Sequence, residues 1–564
     1  MKKSKWKIYL LCLMVGVANV SFAGCSKSGT DKNSTNTKTQ SNSAGSTSDV
    51  TEEDVKANAE LVIEPEYSAE ELSSDYDENN AVMISLEQNQ ISCDSQKISV
   101  SGSVITILKS GTYVLQGELE DGSIVVDIDD DDIVRLVFAG VDITSKSSAP
   151  VYVKEAKETI ITLKENTINT ISDAAEYVLE NEEDNEPNAA IFSKDDLAIN
   201  GSGTLKIQAN YNHGIQGKDD VVLISGKIEI NSVGDAIVGK DSVVIKESDI
   251  TIESEASGIK GTNTEGGKGY VYLDNPTIAI TSKDDGIHAD VKVLLNGGTL
   301  TIEDSYEGLE ACILRINDGD ITIHSSDDGI NATNGSSEDM MGGMTGGNMQ
   351  MPGGNQGNMQ MPNGDNQGNA QMPDGSQGFG QEDDSDDTTT EALQVLDVVL
   401  EVNGGTVYVE ADGDGIDSNG SVMINGGCVY IDGPTNGGNG ALDYATECQV
   451  NGGVLVAAGS LGMEMAADSN SQVPCVNIAF ENTYDGGTEI TIQKESGEEV
   501  ISYTPSKSFS SFVLSHDGLE KGSNYVIYAN GTEVESFTVS DTITSVGNTS
   551  QMGMGADMGR GGQR

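Results

Sequence analysis

The sequence predicts an all-β protein built as a parallel β-solenoid, and three observations support this prediction. Residues 211–331 repeat one pattern six times, at intervals close to 22 residues. Within each repeat, apolar and polar residues alternate as they do in short strands. Aromatic residues make up only 5% of the chain, whereas glycine occurs 67 times. This combination indicates stacked coils around a core of Val, Ile and Leu.

The repeats are aligned by a Gly-Ile pair or a close variant of it. The residue before the Ile or Leu advances by 22, 22, 28, 22 and 21 positions, and it falls at Gly214, Ala236, Gly258, Gly286, Gly308 and Gly329. An insert at residues 262–268 explains the long step. Strand-like segments begin near residue 91 and resume after the low-complexity segment described next. We therefore predict a single β-helical domain over residues 61–475.

Residues 335–390 interrupt this domain with a run of Met, Gly, Gln, Asn and Pro. Such a composition has no capacity to form a core, so we expect a disordered insertion at one corner of a coil. The alternative is a sticky or methionine-oxidisable loop. Because the same repeat pattern flanks the segment, it interrupts one domain and does not separate two.

The two ends of the chain differ from the repeats. Residues 69–72 read as a short helix, and residues 476–545 read as ordinary strands that form a small C-terminal antiparallel β domain or cap. Such a cap would close the open edge of the solenoid, which would otherwise promote aggregation. We expect a disordered Gly- and Met-rich tail at residues 546–564.

Residues 1–24 have the form of a transport leader, with four lysines before an apolar run. The sequence Ser-Phe-Ala-Gly-Cys ending at Cys25 resembles a bacterial lipobox, which implies cleavage before Cys25 and its acylation. Residues 25–60 form a tether rich in Ser, Thr, Asn and Lys. We expect a lipid-anchored protein on the extracellular face of the membrane, with ordinary secretion as the alternative.

Formal net charge is −60. Binding to nucleic acid or to an anionic membrane by simple attraction is therefore excluded, apart from a lipid anchor. A divalent cation is the natural partner of so much carboxylate, although a solvated acidic surface that only confers solubility is the alternative for most acids. Seven cysteines show no zinc-type spacing. Cys428 and Cys448 are about one coil apart and could pair, but free thiols are the preferred interpretation.

Equivalent positions of neighbouring coils lie about 4.8 Å apart, so the residue before each Gly-Ile pair forms a ladder on one face. This ladder comprises His213, Asp235, Ser257, Asp285, Glu307 and Asp328. Two carboxylates at this separation repel by roughly 3 kcal/mol, a cost that a bound cation removes. Ca²⁺ fits oxygen ligands in flexible geometry. The alternative is that Asp-Gly only makes the turn, since both residues favour left-handed conformations.

We predict two calcium sites and consider a third. The first comprises Asp284, Asp285, Glu307, Glu310, Asp327, Asp328 and Asn331. The second comprises Asp412, Asp414 and Asp417. Asp235 joins a third with Asp219 or Asp241. These assignments rest on doubled acidic residues in the same register of alternate coils.

Several motifs resemble a known family. The strings IFSKDDLAINGSGTLKI, KDDVVLISGKIEI and DDGINATNGSSEDM, the last before a Met/Gly-rich insert, are similar to calcium-containing carbohydrate-binding β-helix proteins on the surface of clostridia and their relatives. This resemblance covers roughly residues 85–470. It implies a right-handed parallel β-helix similar to polysaccharide lyases, bound calcium, and affinity for pectin-like or cellulosic polysaccharide. Ala236 and Ser257 depart from the acidic Gly-Ile pattern, so those coils hold no ion.

For function, we predict calcium-dependent binding of an anionic polysaccharide without catalysis, with a neutral cellulosic glycan as secondary ligand. Trp6 lies in the leader, so sugar stacking falls to tyrosines: Tyr211, Tyr270, Tyr272, Tyr306 and Tyr444. The first alternative is a calcium-dependent pectate or polysaccharide lyase. Its candidate bases are Lys218, Lys240, Lys260, Lys283 and Arg315. The second alternative is an adhesin-like structural surface protein with no specific glycan.

Overall fold

The chain folds into a solenoid. Its strands alternate apolar and polar side chains, so each strand buries its apolar side against the same core. The computed structural model describes residues 65–88, 90–129, 132–179, 185–334 and 397–547. The leader, Cys25, the tether, the insertion and residues 548–564 of the tail lie outside the described residues. Among the residues that the structure describes, no helix is long and apolar enough to cross a membrane.

One short helix and 39 strands occur in the described ranges. Helix α1 spans Ala69–Leu72, as the sequence predicts, and is capped by Ser68. The first thirteen strands are β1 (Val82–Gln88), β2 (Gln90–Ser92), β3 (Ile98–Ser101), β4 (Val104–Ile107), β5 (Gly111–Leu119), β6 (Ser123–Asp127), β7 (Ile133–Thr144), β8 (Val151–Glu155), β9 (Glu158–Leu163), β10 (Ile168–Ser172), β11 (Ala189–Ser193), β12 (Asp196–Gly201) and β13 (Thr204–Ala209). The central strands are β14 (His213–Gly217), β15 (Asp220–Leu223), β16 (Lys227–Ser232), β17 (Ile237–Gly239), β18 (Ser242–Ile245), β19 (Asp249–Ser254), β20 (Ile259–Gly261), β21 (Tyr270–Leu273), β22 (Thr277–Thr281), β23 (Ile287–Asp304), β24 (Leu309–Ser325) and β25 (Ile330–Ala332).

After the insertion the same pattern continues. These strands are β26 (Val399–Val402), β27 (Thr406–Ala411), β28 (Ile416–Ser418), β29 (Ser421–Ile424), β30 (Cys428–Asp432), β31 (Glu447–Val450) and β32 (Val454–Gly459). The C-terminal strands are β33 (Cys475–Tyr484), β34 (Ile490–Lys494), β35 (Glu499–Tyr503), β36 (Phe509–Ser515), β37 (Asn524–Ala529), β38 (Thr532–Thr538) and β39 (Ile543–Gly547). The last strand therefore extends two residues into the segment that the sequence assigns to the tail.

Each coil contributes one strand to each of three parallel faces. Face 1 contains β8, β11, β14, β17, β20, the starts of β23 and β24, β25 and β28. Face 2 contains β9, β12, β15, β18, β21, the middles of β23 and β24, β26, β29 and β31. Face 3 contains β10, β13, β16, β19, β22, the ends of β23 and β24, β27, β30 and β32. The predicted all-β parallel β-helix is confirmed.

The core consists of stacked aliphatic columns that the repeats place in register. On face 1 the inward column is fully buried, and it comprises Ile215, Ile237, Ile259, Ile287, Leu309, Ile330 and Ile416. Glycine precedes all of these residues except Ile237, which follows Ala236, and glycine is required at those positions because the next coil passes close by. A Cβ at Gly308 would lie 2.3 Å from the carbonyl oxygen of Gly329. The explanation from left-handed conformation is wrong at these positions, since Gly308 and its equivalents do not have positive φ.

The C-terminal strands close the solenoid, as the sequence predicts. Strand β36 pairs antiparallel with β32 of face 3 and with β33, so the cap continues the solenoid sheet. A separate four-stranded antiparallel sheet of β35, β34, β37 and β38 completes the cap. All five cysteines in the described residues are free thiols, and Cys428 and Cys448 lie on different faces.

Candidate metal centre at an acidic corner

The repeat places two rows of side chains along the edge between face 3 and face 1. The corner row precedes the buried Gly-Ile pair, and it comprises His213, Asp235, Ser257, Asp285, Glu307, Asp328 and Asp414. The outward row follows three residues later on face 1, where strand pairing aligns Gln216, Val238, Lys260, His288, Glu310, Asn331 and Asp417. Every coil therefore offers one residue from each row at the same height.

The first group of ligand-type side chains is Asp285, His288 and Glu310. Nδ1 of His288 lies 2.7 Å from Oε2 of Glu310 and 3.3 Å from Oδ2 of Asp285, and its Nε2 lies 3.2 Å from Oδ1 of Asp290. Burial opposes a charge on the ring, but hydrogen bonds to these carboxylates raise the pKa of His288 well above its usual value. The imidazolium therefore acts as an internal cation for this group.

Lys260 adds a second internal cation one coil earlier. Burial lowers its pKa, but the surrounding carboxylates, chiefly Asp235 and Asp290, shift the pKa of Lys260 above its usual value. Lys260 and His288 therefore offset part of the negative charge around Asp235 and Asp285.

The second group is Asp328, Asp414 and Asp417, in which one oxygen of each lies within 4.8 Å of the others. The backbone N–H of Asp414 donates to Oδ1 of Asp328 at 2.6 Å, and the N–H of Gly440 donates to Oδ1 of Asp414. Burial, followed by repulsion from neighbouring carboxylates, raises the pKa of Asp328 to about 7. The same causes raise the pKa values of Asp414 and Asp417 to about 6.

Asn331 supplies a further oxygen beside this group. Its side chain is 7% exposed, and its Nδ2 donates to Oε2 of Glu307 at 3.0 Å. Its Oδ1 is buried and has no hydrogen-bond partner among the described residues. Burial and the nearby Glu310 raise the pKa of Glu307 to about 8. A buried acceptor without a partner is costly, so this oxygen together with three carboxylates fits a hard cation such as Ca²⁺.

The structure divides the predicted ligands differently from the sequence. Asp328 lies with Asp414 and Asp417 and not in one set with Asp285 and Glu310. Asn331 lies between the two groups, since strand pairing aligns it with both Glu310 and Asp417. Asp412 is not in the second group, because its side chain is 73% exposed and accepts from Nζ of Lys507 at 2.6 Å. Asp412 directly follows strand β27, two residues before Asp414, and so it does not belong to the corner row.

The remaining predicted acids lie at the same edge. Asp284 is exposed and its Oδ2 accepts from Oγ of Ser257 at 3.1 Å, while a hydrogen bond from Tyr306 reaches Asp327. Asp235 accepts from the N–H of Ser257 at 2.9 Å and lies 3.4 Å from Nδ1 of His213.

The predicted third site does not form. Asp219 follows strand β14 and Asp241 follows strand β17, which places both at the opposite end of the face 1 strands from Asp235. Asp241 instead pairs with Nζ of Lys268 at 3.0 Å.

The five predicted sugar-stacking tyrosines do not form one platform. Tyr211 stacks on Tyr177 with ring centroids 4.0 Å apart. Tyr270 is half-buried and Tyr272 only 3% exposed on face 2, and the hydroxyl of Tyr444 donates to Ala466 O at 2.7 Å. Tyr306 is 48% exposed and lies beside the acidic corner. Tyr272 is therefore excluded as a stacking residue because its ring is covered.

Two residues of the corner were missed by the sequence analysis. Neither His288 nor Asp443 is among the residues that the sequence analysis assigns to this corner. Asp443 follows the sequence Gly-Ala-Leu in the coil after Asp417, and its charge contributes to the raised pKa values of Asp414 and Asp417. Both residues occupy the position directly after the Ile or Leu of the repeat. Aligning that position from coil to coil would have identified them as members of the outward row.

The candidate lyase bases have other partners or positions. Nζ of Lys218 pairs with Glu186 at 3.0 Å, and Nε of Arg315 pairs with Glu401 at 2.5 Å. Lys240 and Lys283 are exposed. Lys260 lies among carboxylates that hold it charged, so it is unsuited to accept a proton at neutral pH.

Fold and site together define an acidic, repeat-built parallel β-helix with a cluster of oxygen ligands at one corner. A family model described as carbohydrate-binding domain-containing protein matches residues 101–357. A carbohydrate-binding domain-containing protein of Acetivibrio thermocellus is 39% identical over 241 residues, which cover 41% of this chain and 84% of the relative. The chain belongs to this carbohydrate-binding domain family.

One solved structure is also similar to part of the chain. It is described as the polysaccharide lyase-like protein from C. thermocellum in a gadolinium derivative. The match has 34% sequence identity and a TM-score of 0.37, and it covers 43% of this chain and 94% of that chain.

Proposed function

We propose that this protein binds polysaccharide with the help of Ca²⁺ held by Asp328, Asp414, Asp417 and Asn331. One observation carries the proposal: three carboxylates converge, and strand register places next to Asp417 the residue Asn331, whose buried Oδ1 has no partner in the described part of the chain. Their pKa values are raised by burial and by one another, which means that the cluster lacks a compensating positive charge. Family membership supports the glycan as ligand.

The favoured ligand is an anionic, pectin-like polysaccharide. A strongly acidic surface repels such a glycan, and calcium at the corner supplies the positive charge that attracts its carboxylates. Tyr306 lies next to the corner and is 48% exposed, so its ring is available to the apolar face of a sugar. Its hydroxyl is held by Asp327, which raises the pKa of Tyr306 to about 12 and keeps it protonated.

We propose that binding occurs without cleavage. A lyase needs a neutral base beside the metal, and the nearest lysine on the outward row, Lys260, is kept protonated by its carboxylate neighbours. The proposal also includes acylation of Cys25, which lies outside the described residues, and an extracellular location.

Affinity electrophoresis in gels with and without polygalacturonate tests this function. We expect retardation with Ca²⁺ that is lost with EGTA and lost in Asp417→Asn, whereas the exposed neighbour variant Asp412→Asn stays retarded. Unchanged mobility of the wild-type protein in every glycan gel, together with a calcium-dependent rise in melting temperature, would support the adhesin-like structural alternative. Release of ultraviolet-absorbing unsaturated products would support the lyase alternative.

A further inference from the structure

The C-terminal cap contacts the solenoid beside the acidic corner. Residues 503–507, here called the cap loop, lie on the outward side of face 3. The ring of Tyr503 stacks nearly parallel on that of Tyr430, with centroids 5.4 Å apart. Asp432 is 1% exposed, and its carboxylate accepts from the hydroxyl of Tyr503 at 2.9 Å and from the N–H of Ser506 at 2.7 Å. These contacts fix the cap loop on the coil that follows strand β27.

Strand β27 ends in a carbonyl that lacks its donor in the parallel ladder. At the end of β24, the carbonyl of Ser325 accepts from the N–H of Asp412 in the next coil at 3.2 Å. Ala411 is aligned with Ser325, so its own carbonyl should accept from the next coil in the same way. Strand register places Pro434 at the donor position, and proline has no N–H.

Lys507 of the cap loop supplies the missing donor. Its Nζ donates to the carbonyl of Ala411 and also to Oδ1 of Asp412 at 2.6 Å. The side chain of Lys507 is only 15% exposed, whereas that of Asp412 is 73% exposed. An exposed ion pair contributes little, but a charged donor on a backbone carbonyl is among the stronger hydrogen bonds. The bond to Ala411 is therefore the one that fixes the end of β27.

The turn that follows Ala411 packs directly on the proposed calcium ligands. The N–H of Gly413 donates to the carbonyl of Asp327 at 3.0 Å, and the N–H of Asp414 donates to Oδ1 of Asp328 at 2.6 Å. A Cβ at Gly413 would lie 2.5 Å from Oδ1 of Asp328 and 2.6 Å from Oδ1 of Asp327. Because the turn has no free space here, a shift of Ala411 would move Asp414 relative to Asp328.

A second connection joins the same aspartate to the cap. The N–H of Gly440 donates to Oδ1 of Asp414. Gly440 ends a loop over residues 434–440, and the carbonyl of the first residue of that loop accepts from the N–H of Ser460 at 3.1 Å. The hydroxyl of Ser511 in strand β36 donates to the carbonyl of Ser460 at 3.3 Å. Asp414 is therefore linked to the cap on both sides.

We propose that Lys507 is a positioning residue for the calcium cluster, and that calcium binding and docking of the cap on the solenoid stabilise each other. The inference rests on the proposed function, because it takes the corner around Asp414 as the calcium site. Linkage makes the effect reciprocal: if the docked cap favours calcium, then calcium favours the docked cap by the same factor. The hydrogen bonds between Lys507 and Asp414 form the contiguous path that such coupling needs.

Isothermal titration calorimetry with Ca²⁺ tests the positioning role. We expect Lys507→Met to bind calcium at least about fivefold more weakly than the wild-type protein. The sign is diagnostic, because removing a positive charge near a cation site strengthens binding on its own. Lys507→Arg can still donate to Ala411 and should recover most of the affinity. Lys521→Met removes an exposed lysine of the cap that pairs with Asp541, and this matched control should bind calcium normally.

Hydrogen exchange of the same proteins tests the reciprocal effect on the cap. We expect calcium to slow exchange in strand β36 of the wild-type protein, and to slow it less in Lys507→Met. Strand β6, in an early coil of the solenoid, should respond much less. If Lys507→Met does not fold, exchange in the wild-type protein decides, because a β36 that ignores calcium overturns the coupling.

The outcomes separate this inference from the proposed function. Equal or tighter calcium binding by Lys507→Met overturns the inference alone, as does a loss that Lys507→Arg fails to recover. Wild-type protein that binds no calcium overturns both. Asp412→Asn keeps the bond from Lys507 to Ala411, so calcium binding as weak as in Lys507→Met would show that the ion pair acts and would overturn the role of the carbonyl.

Discussion

The backbone nitrogen of Asp414 donates a 2.6 Å hydrogen bond to Oδ1 of Asp328, although 86 positions separate them in sequence. The coils before and after the insertion are therefore in register, and Asn331 also aligns with Asp417. This relationship brings acids from two distant stretches of chain into one oxygen cluster.

The first prediction concerns calcium binding at that cluster. We expect Ca²⁺ to raise the free energy of unfolding of the wild-type protein, by about 2.7 kcal/mol at a hundredfold excess over Kd, because the metal binds only the folded state. Asp417→Asn removes one charged ligand and should abolish most of this gain. Thermal unfolding with calcium and with EGTA measures the difference.

Asp412→Asn is the matched control for this prediction. Asp412 lies close in sequence but is exposed and paired with Lys507, so its calcium response should equal that of the wild-type protein. A control that loses the response as fully as Asp417→Asn would place the metal elsewhere on the edge.

The second prediction concerns pH in the absence of calcium. The pKa values of Asp328, Asp414 and Glu307 are raised to about 7, 6 and 8, above those of acids in the unfolded chain. Between the two sets of values the folded state holds more protons, so the free energy of unfolding falls as pH rises from about 4 to 8. Calcium affinity should rise over the same window because its ligands must lose protons.

Melting temperatures in EGTA across this pH range measure the effect. Asp328→Asn removes one of the groups responsible and should flatten the decline. A melting temperature that increases with pH in EGTA would contradict the assigned pKa shifts.

The third prediction concerns His288 as an internal cation. His288→Gln leaves Asp285 and Glu310 without their positive partner, so we expect a loss of roughly 2–4 kcal/mol in the free energy of unfolding. Calcium should recover part of this loss in the variant. Without the imidazolium, Asp285 and Glu310 form a cluster of uncompensated carboxylates like that of Asp328, Asp414 and Asp417, and a cation can take the place of the ring. Urea unfolding with and without calcium measures both effects.

His324→Gln provides the comparison for His288. His324 is 40% exposed at the side chain and lies 4.0 Å from Glu410, so its replacement should change stability by less than about 0.5 kcal/mol. Equal losses in the two variants would show that the carboxylates around His288 do not depend on its charge.

The sequence was sufficient for the coils and for the corner row, because a 22-residue period fixes which positions stack. It placed Asp412 wrongly because two Asp-Gly pairs follow one another, and periodicity tolerates a shift of two residues. It could not show that Tyr272 is covered, since Tyr67, which packs against the same apolar cluster, comes from about 200 residues earlier in the chain. Nor could composition show that His288 compensates Asp285, because that depends on the distance between side chains of different coils.

The fourth prediction concerns a ladder of amides along the corner between face 2 and face 3. Side-chain Nδ2 groups donate to the preceding Oδ1 from Asn317 to Asn296 at 2.6 Å, from Asn403 to Asn317 at 2.9 Å, from Asn425 to Asn403 at 2.9 Å and from Asn451 to Asn425 at 3.1 Å. Asn403→Ala removes two of these bonds, so we expect a loss of about 1–2 kcal/mol in the free energy of unfolding. Asn451→Ala ends the ladder and removes only one, so its loss should be about half as large. Urea unfolding of the two variants measures the ratio, and equal losses would mean that the bonds along the ladder do not contribute individually.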